Sequence, residues 1–240
     1  MREVPVIRKP ADLAHWIDHT ILAPDATEAQ VERLCREAIV HGFRAVCVNP
    51  IHARFVAAQL QGTAVKACSV VSFPFGATPS RGKAAEAALA VEHGAAEIDM
   101  VMAVGMLKGG QLDAVRADIA EVKRACGSAL LKVILETCLL TDEEKVTACR
   151  LAQEAGADFV KTSTGFGGGG ATAADVSLMR RTVGPDMGVK ASGGIRTFEA
   201  ALAMIEAGAT RIGASASLVI VGVKQQEGRL SQPHGTGRTS

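Results

Sequence analysis

The sequence predicts a single-domain α/β protein, closed as a (β/α)8 barrel of the TIM type. Three observations carry this prediction. Short β-type runs alternate with helical patterns about every 25–35 residues, the length of a βα unit, and there are eight of them. The central runs are near-continuously apolar, as parallel strands are when helices cover one face and a barrel interior the other. No linker breaks the rhythm, so residues 1–223 read as one catalytic domain. Residues 224–240, "KQQEGRLSQPHGTGRTS", read as a polar, flexible tail. An open doubly wound sheet shares the alternation but suits eight units less well.

The first strand candidate is "WIDHTIL" (16–22), followed by a helix over 27–41 that opens on Thr27 and stops at Gly42. "RAVCVN" (44–49) and "AVKACSVVSF" (64–73) supply the next two strands. A helix over 78–93 leads to "EIDMVM" (97–102), and one over 111–125 leads to "LLKVILET" (130–137). The helix over 141–155 begins with Thr141 and Glu144 as a capping box and ends at Gly156. "DFVKTST" (158–164), a helix over 173–182, "GVKASG" (188–193), a helix over 198–207 and "TRIGASA" (210–216) complete the series.

Composition narrows the function. With a net charge of +1, the chain lacks the basic excess of a nucleic-acid binder. With 3% aromatics and no tyrosine it has few base-stacking platforms. No apolar run approaches the roughly 18 residues of a membrane span, and "MREVPVIRKPADLAHWIDHT" holds no apolar core of a secretory signal. The cysteines (Cys35, Cys47, Cys68, Cys126, Cys138, Cys149) include no C-x-x-C pair and read as reduced thiols. A cytoplasmic enzyme of small molecules, without nucleic-acid or membrane partners, is the default class, with a binding protein as the alternative.

In such a barrel, chemistry sits at the C-terminal ends of the strands. Charged residues inside or just after the apolar runs are therefore the candidate site: Asp18, Asp99, Lys132, Glu136, Lys161 and Lys190, with Lys66 weaker. "VKTSTG" (160–165) and "VKASGG" (189–194) share V-K-x-S-x-G one βα unit apart, which puts Lys161 and Lys190 at matching heights. Two ammonium groups brought close disfavour each other's charge, and burial pushes the same way. A lysine so treated is partly a free amine, hence a nucleophile towards carbonyls. The alternatives are that both lysines pair with Asp99 and Glu136, or that one anchors a phosphate. Asp99 is costly to bury unless the lysines pair with it, and it could shuttle protons with help from Lys132.

The glycine-rich stretch "DFVKTSTGFGGGG" contains Gly165, Gly167 and Gly170 in a G-x-G-x-x-G spacing. That fingerprint belongs to the first βα turn of a dinucleotide fold with an acidic residue ending the next strand, and neither condition holds here. Together with "SGG" (192–194) and "GASAS" (213–217), the loop reads instead as room for a phosphate beside the lysine. The candidate phosphate and substrate residues are Thr164, Gly165, Ser192, Gly193, Gly194, Gly213 and Ser215. His19 reads as a satisfied core histidine, and Cys47 points into the barrel near the site. The histidines show no H-E-x-x-H or facial-triad spacing, so no metal is expected.

"DHT" with "PDAT" (18–27), "EIDMVM", "KVILET", "FVKTSTGF", "VKASGGIRT" and "RIGAS" together resemble the deoxyribose-phosphate aldolase family, over about residues 11–217. The resemblance implies a class I aldolase without metal or cofactor, acting on 2-deoxy-D-ribose 5-phosphate. It also implies a homo-oligomer, dimer or larger. It implies Lys161 as the Schiff-base lysine and Lys190 as the neighbour that lowers its pKa and exchanges protons. Asp99 is implied as the other proton donor and acceptor, supported by Lys132 and Asp18. Two departures stand out. Ala216 replaces the second of a common serine pair, and no tyrosine is present to reach the site from the C-terminus.

Overall fold

A computed structural model describes residues 7–223. Its eight strands close into a parallel barrel in sequence order. They are β1 (Ile17–Thr20), β2 (Ala45–Val48), β3 (Lys66–Val71), β4 (Glu97–Val101), β5 (Leu130–Ile134), β6 (Phe159–Lys161), β7 (Gly188–Ser192) and β8 (Arg211–Ala214). The expected barrel is thus the observed one. The strands are shorter than the apolar runs that announce them, because pairing stops where the chain turns outward into the loops. The tail read from residue 224 lies outside the described residues.

The helices follow local chemistry. α1 (Glu28–His41) starts where the Thr27 hydroxyl accepts the Gln30 N–H, and it ends at Gly42, whose φ of 68° suits a residue without Cβ. α2 (Ala53–Gln59) and α4 (Val104–Lys108) are short and were not legible as periodic segments. α3 (Ser80–Glu92) and α5 (Leu112–Ala125) sit near their expected places. α6 (Asp142–Glu154) carries the expected Thr141–Glu144 capping box. α7 (Ala173–Val183), α8 (Phe198–Glu206) and the short α9 (Ser217–Ile220) finish the ring.

Two apolar regions result. The larger fills the layer between helices and barrel; inside the barrel, the small cluster Ala45, Cys47, Cys68 and Val70 lines one side only. The rest of the interior is ionic, and the register explains how. Asp99 faces Lys132 across β4 and β5, Lys161 faces Lys190 across β6 and β7, and Lys190 faces Arg211 across β7 and β8. A second buried ion pair lies outside the barrel wall. Lys83 of α3 contacts Asp118 of α5 at 2.6 Å and donates to the Val101 carbonyl at 3.1 Å, which fixes the end of β4 two residues beyond Asp99. Among the described residues, no helix is long and apolar enough to cross a membrane.

Candidate active site

Charges alternate around the barrel interior in a closed circuit. Asp99 Oδ2 accepts from Lys190 Nζ at 2.7 Å, and Lys190 pairs in turn with Asp18. Asp18 Oδ1 accepts from Arg211 at 2.6 Å, and Arg211 reaches Glu97 at 2.9 Å. Glu97 contacts Lys132 at 2.7 Å, and Lys132 returns to Asp99 Oδ1 at 2.7 Å. Three carboxylates and three cations thus balance. Lys161 is the seventh member: among the described residues its Nζ makes a single ion pair, 2.7 Å from the same Asp99 Oδ2 that binds Lys190. The seven groups are therefore neutral together when Lys161 is a free amine and carry one net positive charge when it is protonated.

Burial is nearly complete for all seven groups, so desolvation and partner charge compete in each. Burial would raise the Asp99 carboxyl, but the Lys132, Lys161 and Lys190 ammoniums outweigh it and hold the group well below the usual carboxylate range. Asp18 is lowered in the same way by Lys190, Arg211 and Lys132. Burial would lower Lys190, yet Asp18 and Asp99 raise it above the ordinary lysine value. The expectation that neighbouring ammoniums and burial depress the lysines is therefore corrected for Lys190, whose two carboxylates dominate. Lys132 is raised for the same reason, chiefly by Asp99.

Above Lys161 opens a cavity of about 420 Å³. Thr164 and Gly165 line it from the loop after β6, Ser192, Gly193 and Gly194 from β7, and Gly213 and Ser215 from the end of β8. All seven residues expected at the substrate and phosphate end are thus brought together. The glycines serve close approach of loops rather than a nucleotide turn. A Cβ on Gly170 would lie 2.4 Å from the Gly193 carbonyl oxygen, and one on Gly213 would lie 2.9 Å from Lys190 Cε.

Several expectations change. Lys66 shares the inward phase of Cys68 but emerges exposed at the opposite end of β3, away from the site. Glu136 is buried but joins no lysine; it accepts from the Thr164 N–H at 3.3 Å and from the Thr164 hydroxyl. Cys47 does lie inside the barrel, opposite Cys68, but beneath the cavity rather than on its wall. A hydrogen bond from Cys68 lowers the Cys47 thiol, while burial pushes Cys68 well up. Cys47, Cys68 and Asp99 bring three ligand-type atoms within 4.8 Å of one another, but both Asp99 oxygens are already engaged by ammonium groups. His19 is a satisfied core histidine, bonded to Ser217 at 2.9 Å and Glu37 at 2.8 Å.

Three residues of the candidate site are not among those the sequence pointed to. Glu97 and Arg211 begin strands, where a charge looks like an ordinary solvent-facing end. Arg196 follows directly on "SGGI" and lines the cavity with an exposed guanidinium. Its signal was a cation two residues beyond the glycine pair.

A closed barrel with a buried lysine on a shared carboxylate, beneath a glycine-rimmed cavity, defines an enzyme that handles a small carbonyl compound. Residues 13–223 match the sequence model of the DeoC/LacD family aldolases, and the chain belongs to that family. It is 65% identical over 211 residues to the deoxyribose-phosphate aldolase of Rhodospirillum rubrum, covering 88% of this chain and 89% of that one. It is 59% identical over 206 residues to the deoxyribose-phosphate aldolase of Brevibacillus brevis, covering 86% of this chain and 93% of that one. The tetrameric deoxyribose phosphate aldolase structure from Aeropyrum pernix superposes with a TM-score of 0.83 at 38% identity, covering 89% of this chain and 91% of the other.

Proposed function

We propose that the protein is a deoxyribose-phosphate aldolase that reversibly cleaves 2-deoxy-D-ribose 5-phosphate to D-glyceraldehyde 3-phosphate and acetaldehyde. The observation that carries this reading is the position of Lys161: at the cavity floor, with Asp99 as its one ionic partner among the described residues, beside a circuit that balances without it.

The Lys161 amine attacks the sugar aldehyde, and loss of water leaves an iminium whose cationic nitrogen is an electron sink. A base removes the proton of the C3 hydroxyl; the C2–C3 electron pair moves towards the nitrogen and the bond breaks. The C3 fragment leaves as glyceraldehyde 3-phosphate, and an enamine of acetaldehyde remains on Lys161. Protonation at the enamine carbon and hydrolysis release acetaldehyde and the free lysine. Asp99 and Lys190 are the proton carriers in reach of Lys161, with Lys132 and Asp18 fixing their charge. The mouth glycines, Ser192, Ser215 and Arg196 take the phosphate. No cofactor is required by these steps.

The reading extends to a cytoplasmic homo-oligomer. It is supported by the tetrameric description of the Aeropyrum pernix relative and by six cysteines that are all free. The decisive experiment is incubation with acetaldehyde, reduction with borohydride and peptide mass mapping. An ethyl group on Lys161, absent without acetaldehyde, is expected. A folded protein that gives no adduct overturns the Schiff-base mechanism.

A further inference from the structure

We infer that Glu136 is a positioning residue acting through Thr164: it fixes the loop after β6 over Lys161 and turns the Thr164 hydroxyl into an acceptor for a hydroxyl of the sugar. The inference rests on the aldolase reading and deepens it.

Glu136 combines two anomalies. It is a carboxylate only 4% exposed, yet among the described residues it has no cationic partner. Its backbone lies at φ 57°, in the left-handed region that side chains with a Cβ rarely adopt. The conformation is imposed from both sides: the Leu135 N–H donates to the Lys161 carbonyl at 2.9 Å, and the Thr137 N–H to the Thr162 carbonyl at 3.0 Å. Glycine would take that conformation freely. A strained, unpaired glutamate at such a point marks a carboxylate with a task.

The task is visible in its partners. Thr164 gives Glu136 its backbone N–H, at 3.3 and 3.4 Å to the two oxygens, and also its hydroxyl proton. Thr164 Oγ1 then accepts the Phe166 N–H at 3.0 Å. A hydroxyl has one proton and two lone pairs. With the proton committed to Glu136 and one lone pair to Phe166, one acceptor lone pair is left for the cavity that Thr164 lines. Such an atom complements a substrate O–H and repels a phosphate oxygen. Within the substrate and phosphate set expected from the sequence, Thr164 therefore belongs with the groups that orient the sugar hydroxyls. The loop is shaped to this end: a Cβ on Gly167 would lie 2.8 Å from the Glu136 carboxyl carbon.

The test uses Glu136→Gly, Thr164→Val and the double variant. Each is measured for thermal midpoint, for kcat/KM on 2-deoxy-D-ribose 5-phosphate, and for the borohydride-trapped acetaldehyde adduct. Acetaldehyde carries no hydroxyl to be read. Glu136→Gly is expected to melt no lower than wild type and to form the Lys161 adduct normally, while losing roughly 30-fold or more in cleavage. Thr164→Val should lose a similar factor, and the double variant no more than Thr164→Val alone. Cleavage by Glu136→Gly within roughly threefold of wild type overturns the inference. So does a double variant whose loss is the product of the two, or a lowered midpoint with a parallel loss of adduct. A wild-type protein that forms no adduct removes the aldolase reading itself, and this inference with it.

Discussion

The floor of the cavity and its rim solve opposite problems. The floor is charged, sealed and saturated: Asp18, Asp99, Lys132, Lys190, Arg211 and Glu97 hold one another, and Lys161 hangs from Asp99. The rim is open and nearly chargeless: glycines, small hydroxyls and one exposed guanidinium, with an apolar side that includes Leu22, Pro24 and Phe166. The six groups of the circuit hold one another in place, which keeps the proton carriers beside Lys161 at fixed geometry. A hydroxyl or guanidinium on the rim can be exchanged with little consequence below it, which suits selection of substrates. Substitutions on the floor should lower kcat and stability together, and those on the rim should raise KM.

The largest effect tests the floor at its centre. Lys161→Arg keeps the positive charge on Asp99 but removes the nucleophilic amine, and activity should fall by about 10⁴-fold or more with no borohydride adduct. Residual turnover above that level would mean that another amine forms the iminium.

Asp99→Asn comes next, because it removes the one carboxylate that three ammonium groups share. Activity should fall by about 10²–10⁴-fold, and chemical denaturation should show a loss of roughly 3–5 kcal/mol, the penalty for breaking a buried ion pair from one side. Asp18→Asn unbalances the same circuit without touching Lys161. It should match Asp99→Asn in stability while losing much less activity. Equal activity losses would erase the distinction between the nucleophile's partner and the supporting circuit.

The circuit also fixes a pH window. Asp18 and Asp99 are held below the ordinary carboxylate value, so their stabilisation is complete above about pH 4 and is lost as pH falls through their lower folded values. Lys132 and Lys190 are raised, so their contribution is complete below about pH 10 and lost only above it. Thermal midpoints should be flat between about pH 5 and 9 and drop steeply in acid, with a shallower acid slope in Asp18→Asn. An unchanged slope in that variant would show that the acid transition belongs to surface carboxylates.

The same contrast explains what the sequence disclosed. Lys161 and Lys190 were legible because a repeated V-K-x-S-x-G inside apolar strands can only place two lysines side by side, and the register does so. The rim was legible because glycine and serine cluster in the loops that follow those strands. Glu97 and Arg211 were not, since a charge at the first residue of a strand gives no sign of pointing inward until the barrel closes. Lys66 and Glu136 mislead for a related reason. Strand phase alone places Lys66 inward, yet one step towards the bottom exposes it, and Glu136 follows the end of its strand at a positive φ that redirects its side chain. α2 escaped notice because seven residues hold fewer than two full turns of pattern.

The rim gives the smallest effects. Arg196→Gln should raise KM for 2-deoxy-D-ribose 5-phosphate by roughly tenfold and leave the unphosphorylated sugar unaffected, because an exposed guanidinium in water contributes about 1 kcal/mol to an anion. Ala216→Ser is subtler still. Ala216 precedes α9 and adjoins Ser215 at the cavity, while Ser217 turns its hydroxyl to the Ala214 carbonyl at 2.9 Å and offers nothing to the rim. A serine at 216 adds one donor beside Ser215, so KM for the phosphorylated sugar should fall about three- to tenfold with kcat unchanged. Ratios of kcat/KM for the sugar with and without its phosphate measure this directly. A gain for both sugars alike would place the new hydroxyl on the sugar, and would move the boundary between floor and rim one residue deeper along the β8 loop.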